Sequence, residues 1–205
     1  MKERADFTDF AEWYLRQTVQ IIEWIQTTEN LYRIYDMINI IKQIKSDNGR
    51  LFIIGMGGGA GHASHAANDF RKLCGVEAYA VTDNVSELTA RANDEGLDTI
   101  FTGWLKVSHL NDKDGLFIFS VGGGDIKKKV STTIINAIDL AKERKAKIVG
   151  IVGRDGGYTG VKADACLIIP DVDERYVTPY TEGMQAVFWH MIVSSPVLQE
   201  NKTKW

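Results

Sequence analysis

The sequence predicts an α/β protein, a three-layer α/β/α sandwich with a five-stranded parallel sheet at its centre. Two observations predict this class. Five short segments are almost entirely apolar and rich in β-branched residues, and longer segments with apolar residues at helical spacing separate them. Strands that are apolar on both faces are typical of a parallel sheet that helices cover on both sides.

Two helices are predicted before the first strand, within residues 1–48. Phe10 and Trp13 begin an apolar stripe at helical spacing in the first helix, and Ile34 and Ile38 belong to a similar stripe in the second. This pair lies outside the alternation of strands and helices. Its aromatic content predicts a surface used in oligomer formation, and packing on the chain's own sheet is an equally good interpretation.

The remaining elements follow from apolar runs and helical periodicity. Strands are predicted at 51–54, 78–81, 116–119, 147–152 and 166–169. Helices are predicted at 60–73, 85–93, 98–109 and 126–141, and a last one runs from 179 to about 195. Asp125 is a suitable N-cap for the helix at 126–141, and Thr178 is the predicted cap of the last helix, with Pro179 at its first position.

Composition limits the class of protein. The chain has 205 residues, of which 44% are hydrophobic and 25% charged, so it predicts one folded domain and excludes a disordered chain. A net charge of −3 gives no general attraction to nucleic acid or to anionic membranes. We expect no membrane-spanning segment, and the absence of a signal peptide together with only two cysteines, Cys74 and Cys166, predicts a reduced, cytoplasmic protein.

Two glycine loops each follow a strand and precede a helix. Gly57, Gly58 and Gly59 follow the first strand, and Gly122–Gly124 follow the third. Ligands of open parallel sheets bind at the carboxyl ends of the strands, and such loops present backbone N–H groups to an anion. The sequence therefore predicts an anionic ligand. The lysines at 127–129 are either a solvated face or groups that neutralise this ligand.

The first loop also allows a dinucleotide interpretation. The segment from Gly55 to Ala60 matches G-x-G-x-x-A, and Asp83 follows the second strand slightly late for the expected acidic residue. This keeps a nicotinamide-binding alternative open. The two leading helices and the second glycine loop fit it poorly.

Polar residues on two helices are candidates for chemistry. His62, His65 and Asp69 have spacings of three and four, which place them on one helical face. They are able to bind a divalent metal or transfer protons, or they form a polar surface face with a local pair. On the last helix, Glu182 is favoured near a helix N-terminus, and His190 in its apolar run has the alternative of a buried core residue.

Several motifs resemble the sugar isomerase (SIS) domain family, and within it the phosphoheptose isomerases. The motifs are Gly55-Met56-Gly57-Gly58 with His65, Thr82-Asp83-Asn84-Val85-Ser86, Asn93-Asp94-Glu95-Gly96 with Ile100-Phe101, and Gly153-Arg154-Asp155-Gly156-Gly157 with Ala163-Asp164. The resemblance implies a five-stranded parallel sheet, a homotetramer (or homodimer) with sites between subunits, and bound zinc. It also implies conversion of sedoheptulose 7-phosphate to a heptose 7-phosphate for surface polysaccharide synthesis.

The resemblance further implies a metal and acid–base site. His65 and Asp69 match two ligands on the helix after the first loop, and Glu182 and His190 match a glutamine and a histidine eight residues apart on the last helix. These four residues are the implied zinc ligands, with Asp69 and His190 as catalytic groups.

An alternative alignment shifts the last helix by one residue. Thr181 and Trp189 then take the positions of the glutamine and the histidine, and the metal site is broken.

Substrate-binding residues are also implied by the resemblance. They are Gly57, Gly58, Gly59, Asp83, Asn84, Ser120, Gly122, Gly123, Gly124 and Asp125. The phosphate loops depart from the family pattern, because Gly59 replaces a serine and only Ser120 keeps its hydroxyl in the second loop. Asp125 brings a negative charge. The alternative to an isomerase is therefore a non-catalytic relative that binds a sugar phosphate or a protein.

Overall fold

The computed structural model describes residues 2–203, which form one parallel five-stranded sheet in the order β2-β1-β3-β4-β5. The strands are β1 Arg50–Gly55, β2 Glu77–Ala80, β3 Gly115–Ser120, β4 Lys147–Val152 and β5 Ala165–Ile168. Each predicted strand is present within one residue of its predicted bounds. The order differs from that of the dinucleotide-binding fold and matches the other common doubly wound arrangement, which argues against the nicotinamide alternative.

Eight α-helices within the described part of the chain cover the sheet. They are α1 Lys2–Ile25, α2 Thr28–Ser46, α3 Gly58–Cys74, α4 Val85–Asp94, α5 Ile100–Val107, α6 Thr132–Glu143, α7 Gly157–Lys162 and α8 Val177–Val193. Short 3-10 turns at Leu97–Thr99 and Glu174–Tyr176 precede α5 and α8.

Side chains of β3 alternate between two cores, one on each face of the sheet. Phe117 and Phe119 pack with residues of α1, α2, α3 and α8, whereas Leu116 and Ile118 pack with α5 and α6. All four side chains are fully buried, since both faces are covered. The predicted α/β/α sandwich is confirmed.

The N-terminal helices pack on the sheet in part. Ile34 and Ile41 of α2 belong to the core, and so do Ile21 and Ile25 at the end of α1. The earlier part of α1 leaves large apolar side chains in solvent, namely Phe7, Phe10, Leu15 and Val19. Packing on the chain's own sheet is therefore present, and the oligomer surface stays a prediction.

The predicted helix at 126–141 is wrong at its start. Asp125 and Val130 form an antiparallel bridge, and α6 begins only at Thr132. The carboxylate of Asp125 accepts the N–H of Lys128 at 3.0 Å inside this turn, so it does not cap α6. The physical reason is the left-handed backbone of the glycines before the turn, together with Ile126, which is 59% exposed and is no part of an apolar helix face.

The last helix begins earlier than predicted. It starts at Val177, so that Thr178 lies inside it and Pro179 is its third residue. The preceding 3-10 turn leads directly into the helix and removes the need for a side-chain cap. No helix of residues 2–203 combines the length and apolar character needed to cross a bilayer.

Candidate functional site

Helices α3 and α8 lie side by side and run in the same direction. A Cβ on Gly58, at the start of α3, would lie 2.7 Å from Oε1 of Glu182 on α8. Two turns further along α3, the ring centroids of His65 and Trp189 lie 4.7 Å apart. Residues on the facing sides of these helices therefore meet, although the intervening chain forms most of the sheet.

Three titratable residues converge along this helix pair. Nε2 of His65 lies 3.8 Å from Oδ2 of Asp69, and Nε2 of His190 lies 4.0 Å from the same oxygen. The two imidazole rings are perpendicular, with centroids 5.2 Å apart. Side chains that the sequence separates into two helices thus form one cluster, called here the His–Asp–His cluster (His65, Asp69, His190).

Backbone and side-chain contacts orient this cluster. Nδ1 of His190 lies 2.7 Å from the carbonyl oxygen of Ala186. Because that oxygen only accepts, Nδ1 carries a hydrogen, and Nε2 is the ring nitrogen that faces Asp69. Asn68 donates its amide to Oδ1 of Asp69 at 2.8 Å, which leaves Oδ2 to face both histidines.

Trp189 packs the cluster against the core. Its side chain is fully buried, and its ring stacks on His190 with a centroid separation of 3.5 Å. His190 itself has a half-exposed side chain, so its alternative as a buried core residue does not apply. The residue of this pair that is buried in the core is Trp189.

Glu182 does not join the cluster. Among the described residues, one group of three has its ligand atoms within 4.8 Å of one another, and its members are His65, Asp69 and His190. The carboxylate of Glu182 lies over Gly58, beside His62 on the next turn of α3. Burial lowers the pKa of the half-buried His62, and the carboxylate of Glu182 opposes this effect. The structure therefore brings together three of the four implied ligands.

The alternative alignment of the last helix also finds no support in the local geometry. Thr181 is buried, and its hydroxyl packs against Gly153 at the end of β4. Trp189 points into the core. Neither side chain offers a donor atom to the His–Asp–His cluster, although His190 does.

The cluster has the donor set of a metal site. Two imidazole nitrogens and one carboxylate oxygen are three ligands of the kind that hold catalytic zinc, which keeps a further position for water or substrate. The hydrogen bond from Nδ1 of His190 to Ala186 is the outer contact that such histidine ligands usually make. The residues present thus fit a divalent metal.

A wide cleft of about 990 Å³ opens at the carboxyl edge of the sheet. Met56 from the loop after β1 lines it together with Ser120, Gly122, Gly124 and Asp125 from the loop after β3. Strand order reverses between β1 and β3, and this switch point is where open α/β sheets bind ligands. The cleft is called here the switch-point cleft.

Predicted substrate residues fall into two groups. Ser120, Gly122, Gly124 and Asp125 line the switch-point cleft, whereas the lining includes none of the rest, namely Gly57, Gly58, Gly59, Gly123, Asp83 and Asn84. The amide oxygen of Asn84 accepts the N–H of Glu87 and caps α4.

The single hydroxyl of the second loop accepts a hydrogen bond within the loop. Oγ of the buried Ser120 accepts the N–H of Gly123 at 3.0 Å and closes the loop. Because an accepting hydroxyl keeps its own O–H as a donor, the groups that this region offers to a ligand are that O–H, backbone N–H groups and neighbouring side chains.

Sequence reasoning missed several residues of this region. Asn68, which orients Asp69, and Ala186, whose carbonyl orients His190, have no sequence signal of their own. Arg154 lines the switch-point cleft and was noted only within a motif. Its place directly after β4, at the same edge as the glycine loops, is the signal that points to it.

Comparison with known proteins gives a consistent result. Residues 13–153 match the family model described as the SIS domain. The lincomycin biosynthesis protein LmbN of Streptomyces lincolnensis is 34% identical over 148 residues, which are 67% of this chain and 52% of that protein, so the match spans about half of its length.

A phosphoheptose isomerase of Aliarcobacter butzleri is 32% identical over 157 residues, covering 74% of this chain and 77% of that protein. Among solved structures, the phosphoheptose isomerase GmhA of Neisseria gonorrhoeae superposes with a TM-score of 0.78 at 21% identity, covering 91% of this chain and 97% of that one. At this identity the structural likeness shows the fold.

Proposed function

Because this chain belongs to the SIS domain family, we propose that it is an aldose–ketose isomerase of a phosphorylated sugar, converting sedoheptulose 7-phosphate to a heptose 7-phosphate for surface polysaccharide synthesis. Relatives named phosphoheptose isomerases support the reaction class. The observation that carries the proposal is the convergence of His65, Asp69 and His190 from two helices on one carboxylate oxygen.

Asp69 is the base that moves the carbon-bound proton. An aldose–ketose isomerisation removes a proton from one carbon, passes through an enediol and returns a proton to the neighbouring carbon, with no net change in oxidation. Oδ2 of Asp69 faces the cluster while Asn68 holds Oδ1, so one oxygen is positioned to take and return that proton. A positioned base contributes about 10²–10⁴-fold to such a rate.

His190 handles the oxygen-bound proton. In the cluster without metal, its Nε2 accepts the proton of the hydroxyl on one carbon and returns it to the oxygen on the next. Zinc would take up the lone pair of this nitrogen and would act on the same oxygens in its place. Ala186 fixes the ring so that this nitrogen faces the same side as Oδ2 of Asp69. One carboxylate and one imidazole therefore balance both proton transfers.

Zinc held by His65, Asp69 and His190 would polarise the carbonyl oxygen as a Lewis acid and stabilise charge that develops on it. The role of His65 in this chain is to complete the donor set, since its ring is fixed by Trp189 on one side and His190 on the other.

The switch-point cleft holds the phosphate end of the sugar. Met56 connects the two regions, because it lines the cleft and lies two residues before the start of α3. A substrate that extends from the cleft toward α3 would reach the helix that carries His65 and Asp69. We also propose a homotetramer with sites between subunits, which size-exclusion chromatography with light scattering tests.

The direct test is conversion of sedoheptulose 7-phosphate by the purified chain. Product formation that requires Asp69 supports the proposal. Failure to turn over this sugar or other ketose phosphates, by a folded protein loaded with zinc, contradicts it.

One observation favours a second candidate, a non-catalytic protein that binds sugar phosphates or a protein partner. The second glycine loop keeps a single hydroxyl, that of Ser120, so it offers only one side-chain O–H to a phosphate. Binding of a sugar phosphate without turnover, in a chain that retains zinc, would support this candidate over the isomerase.

A further inference from the structure

The side chain of Arg154 lies beside the second glycine loop, and its guanidinium has no partner within residues 2–203. A Cβ on Gly122 would lie 3.7 Å from Cδ of Arg154, so the arginine side chain passes over this glycine. Within residues 2–203, no hydrogen bond or ion pair joins Arg154 to another residue. Arg154 also lines the switch-point cleft.

The backbone of Arg154 has an unusual conformation for its place in the fold. Its φ is 53°, in the left-handed region. Five other non-glycine residues share this region. Asn48, His109 and Lys145 each lie just after a helix, where a left-handed residue is an ordinary ending, and Lys129 and Ser131 lie in the turn before α6. Arg154 follows a strand, at the edge where ligands bind. Strained backbone of this kind concentrates at functional sites.

Two loops interlock and fix where Arg154 lies. The N–H of Gly153 donates to the carbonyl of Val121 at 3.0 Å. A Cβ on Gly157 would collide with the carbonyl oxygen of Gly122, so the two loops touch through their backbones. The position of Arg154 relative to Gly122 is therefore set by packing rather than by a flexible surface turn.

Charges in the cleft leave Arg154 without a counter-ion. The charged lining residues are Lys127, Lys128, Arg154, Asp125, Asp155 and Asp171. Asp125 accepts the N–H of Lys128, and Asp155 accepts the N–H of Gly157 at 3.1 Å. Asp125 also forms an ion pair with Lys128, whose Nζ lies 3.8 Å from its Oδ2. Within residues 2–203, no ion pair joins Arg154 to a carboxylate.

We propose that Arg154 binds the phosphate group of the sugar, between its guanidinium and the backbone of the second glycine loop. The inference rests on the proposed function for the identity of the anion. A guanidinium presents a planar fork of donors that matches two phosphate oxygens, which a lysine does not. It adds donors to a loop in which Ser120 is the single hydroxyl residue, with one O–H to donate while its oxygen accepts from Gly123.

The test measures phosphate binding without requiring turnover. The stabilisation of the chain by inorganic phosphate is followed by thermal denaturation at constant ionic strength, which gives an apparent Kd. The variants are Arg154→Ala and Arg154→Lys. Lys145→Ala is the matched control, because Lys145 is also an exposed cation with a left-handed backbone, and it lies at the opposite edge of the sheet.

We expect wild type and Lys145→Ala to bind phosphate alike, and Arg154→Ala to bind about 10- to 100-fold more weakly. Arg154→Lys falls between them because it keeps the charge and loses the fork. Equal binding by Arg154→Ala and wild type overturns the inference, and so does absence of phosphate binding by wild type.

Turnover of sedoheptulose 7-phosphate is measured separately. If Arg154→Ala loses phosphate binding while wild type shows no turnover, the inference about Arg154 stands and the proposed isomerase activity is rejected.

Discussion

Nε2 of His190 lies 4.0 Å from Oδ2 of Asp69, and both groups are oriented by contacts that leave these two atoms facing each other.

The first prediction concerns the carboxylate. Asp69→Asn keeps the size of the side chain and removes the base, so turnover of sedoheptulose 7-phosphate should fall about 10²–10⁴-fold. The thermal midpoint should change little. Asp36→Asn, an exposed acid on α2, is the control and should keep full activity. Full activity of Asp69→Asn removes this residue from the mechanism.

The second prediction concerns the metal. Purified wild type should contain about one zinc per chain, since three ligands with an open position suit a catalytic zinc. His65→Ala and His190→Ala should each lose most of the metal, measured by elemental analysis. Glu182→Gln should retain it, because the structure leaves Glu182 outside the cluster. Loss of zinc in Glu182→Gln would instead show that Glu182 is a metal ligand, as the resemblance implies.

The third prediction uses a glycine. A methyl group on Gly58 would meet the carboxylate of Glu182, whereas one on Gly61 of the same helix has open space. Gly58→Ala should therefore displace Glu182 from His62 and shift the ring NMR signals of His62. Gly61→Ala should leave those signals unchanged. Identical spectra of the two variants would show that Glu182 does not lie over Gly58.

The fourth prediction concerns pH. Burial lowers the pKa of His62 in the folded chain, so the unfolded chain binds more protons as pH falls through the ordinary histidine pKa of about 6.5. The free energy of unfolding should accordingly decrease on acidification. Between about pH 7.5 and 5.5 this decrease should be smaller for His62→Gln than for wild type, as urea titration at each pH would measure. The exposed His109→Gln is the control and should follow wild type. A parallel decline in His62→Gln contradicts the lowered pKa.

The fifth prediction concerns the sheet rather than the site. Asp114 is buried at 1% exposure and accepts hydrogen bonds from Arg50 and Asn111, which join the start of β1 to the turn before β3. Asp114→Ala should lower the free energy of unfolding by about 3 kcal/mol, the lower end for breaking a buried pair because Arg50 is partly exposed. The exposed Asp112→Ala should change it little, as denaturant unfolding would measure. Equal stability of the two variants would show that the hydrogen bonds of Asp114 do not stabilise the fold.

The strands were predictable because the signal for a buried strand is local. A run such as Leu116–Phe119 is apolar on both faces, and only a sheet covered on both sides hides it. The start of α6 was not predictable from periodicity, because Ile126 and Val130 continue the helical spacing of the segment that follows. The conformation of the preceding glycines decides against the helix, and glycine allows several conformations at little cost.

The site was predictable only in part. Spacing placed His65 and Asp69 on one face of α3, since residues four apart are neighbours on a helix. The choice between Trp189 and His190 was open, because one residue rotates the face of a helix by about 100°. Packing of α8 on α3 makes that choice, and it depends on the whole fold.

The parallel docking of α3 against α8 joins the two halves of the cluster, although His65 and Asp69 precede His190 by more than 100 residues. During synthesis the sheet strands emerge before α8, so the imidazole of His190 arrives last at the carboxylate of Asp69. Capture of a metal by all three residues would therefore require that α8 has docked on α3, and ion uptake would be a late step in maturation.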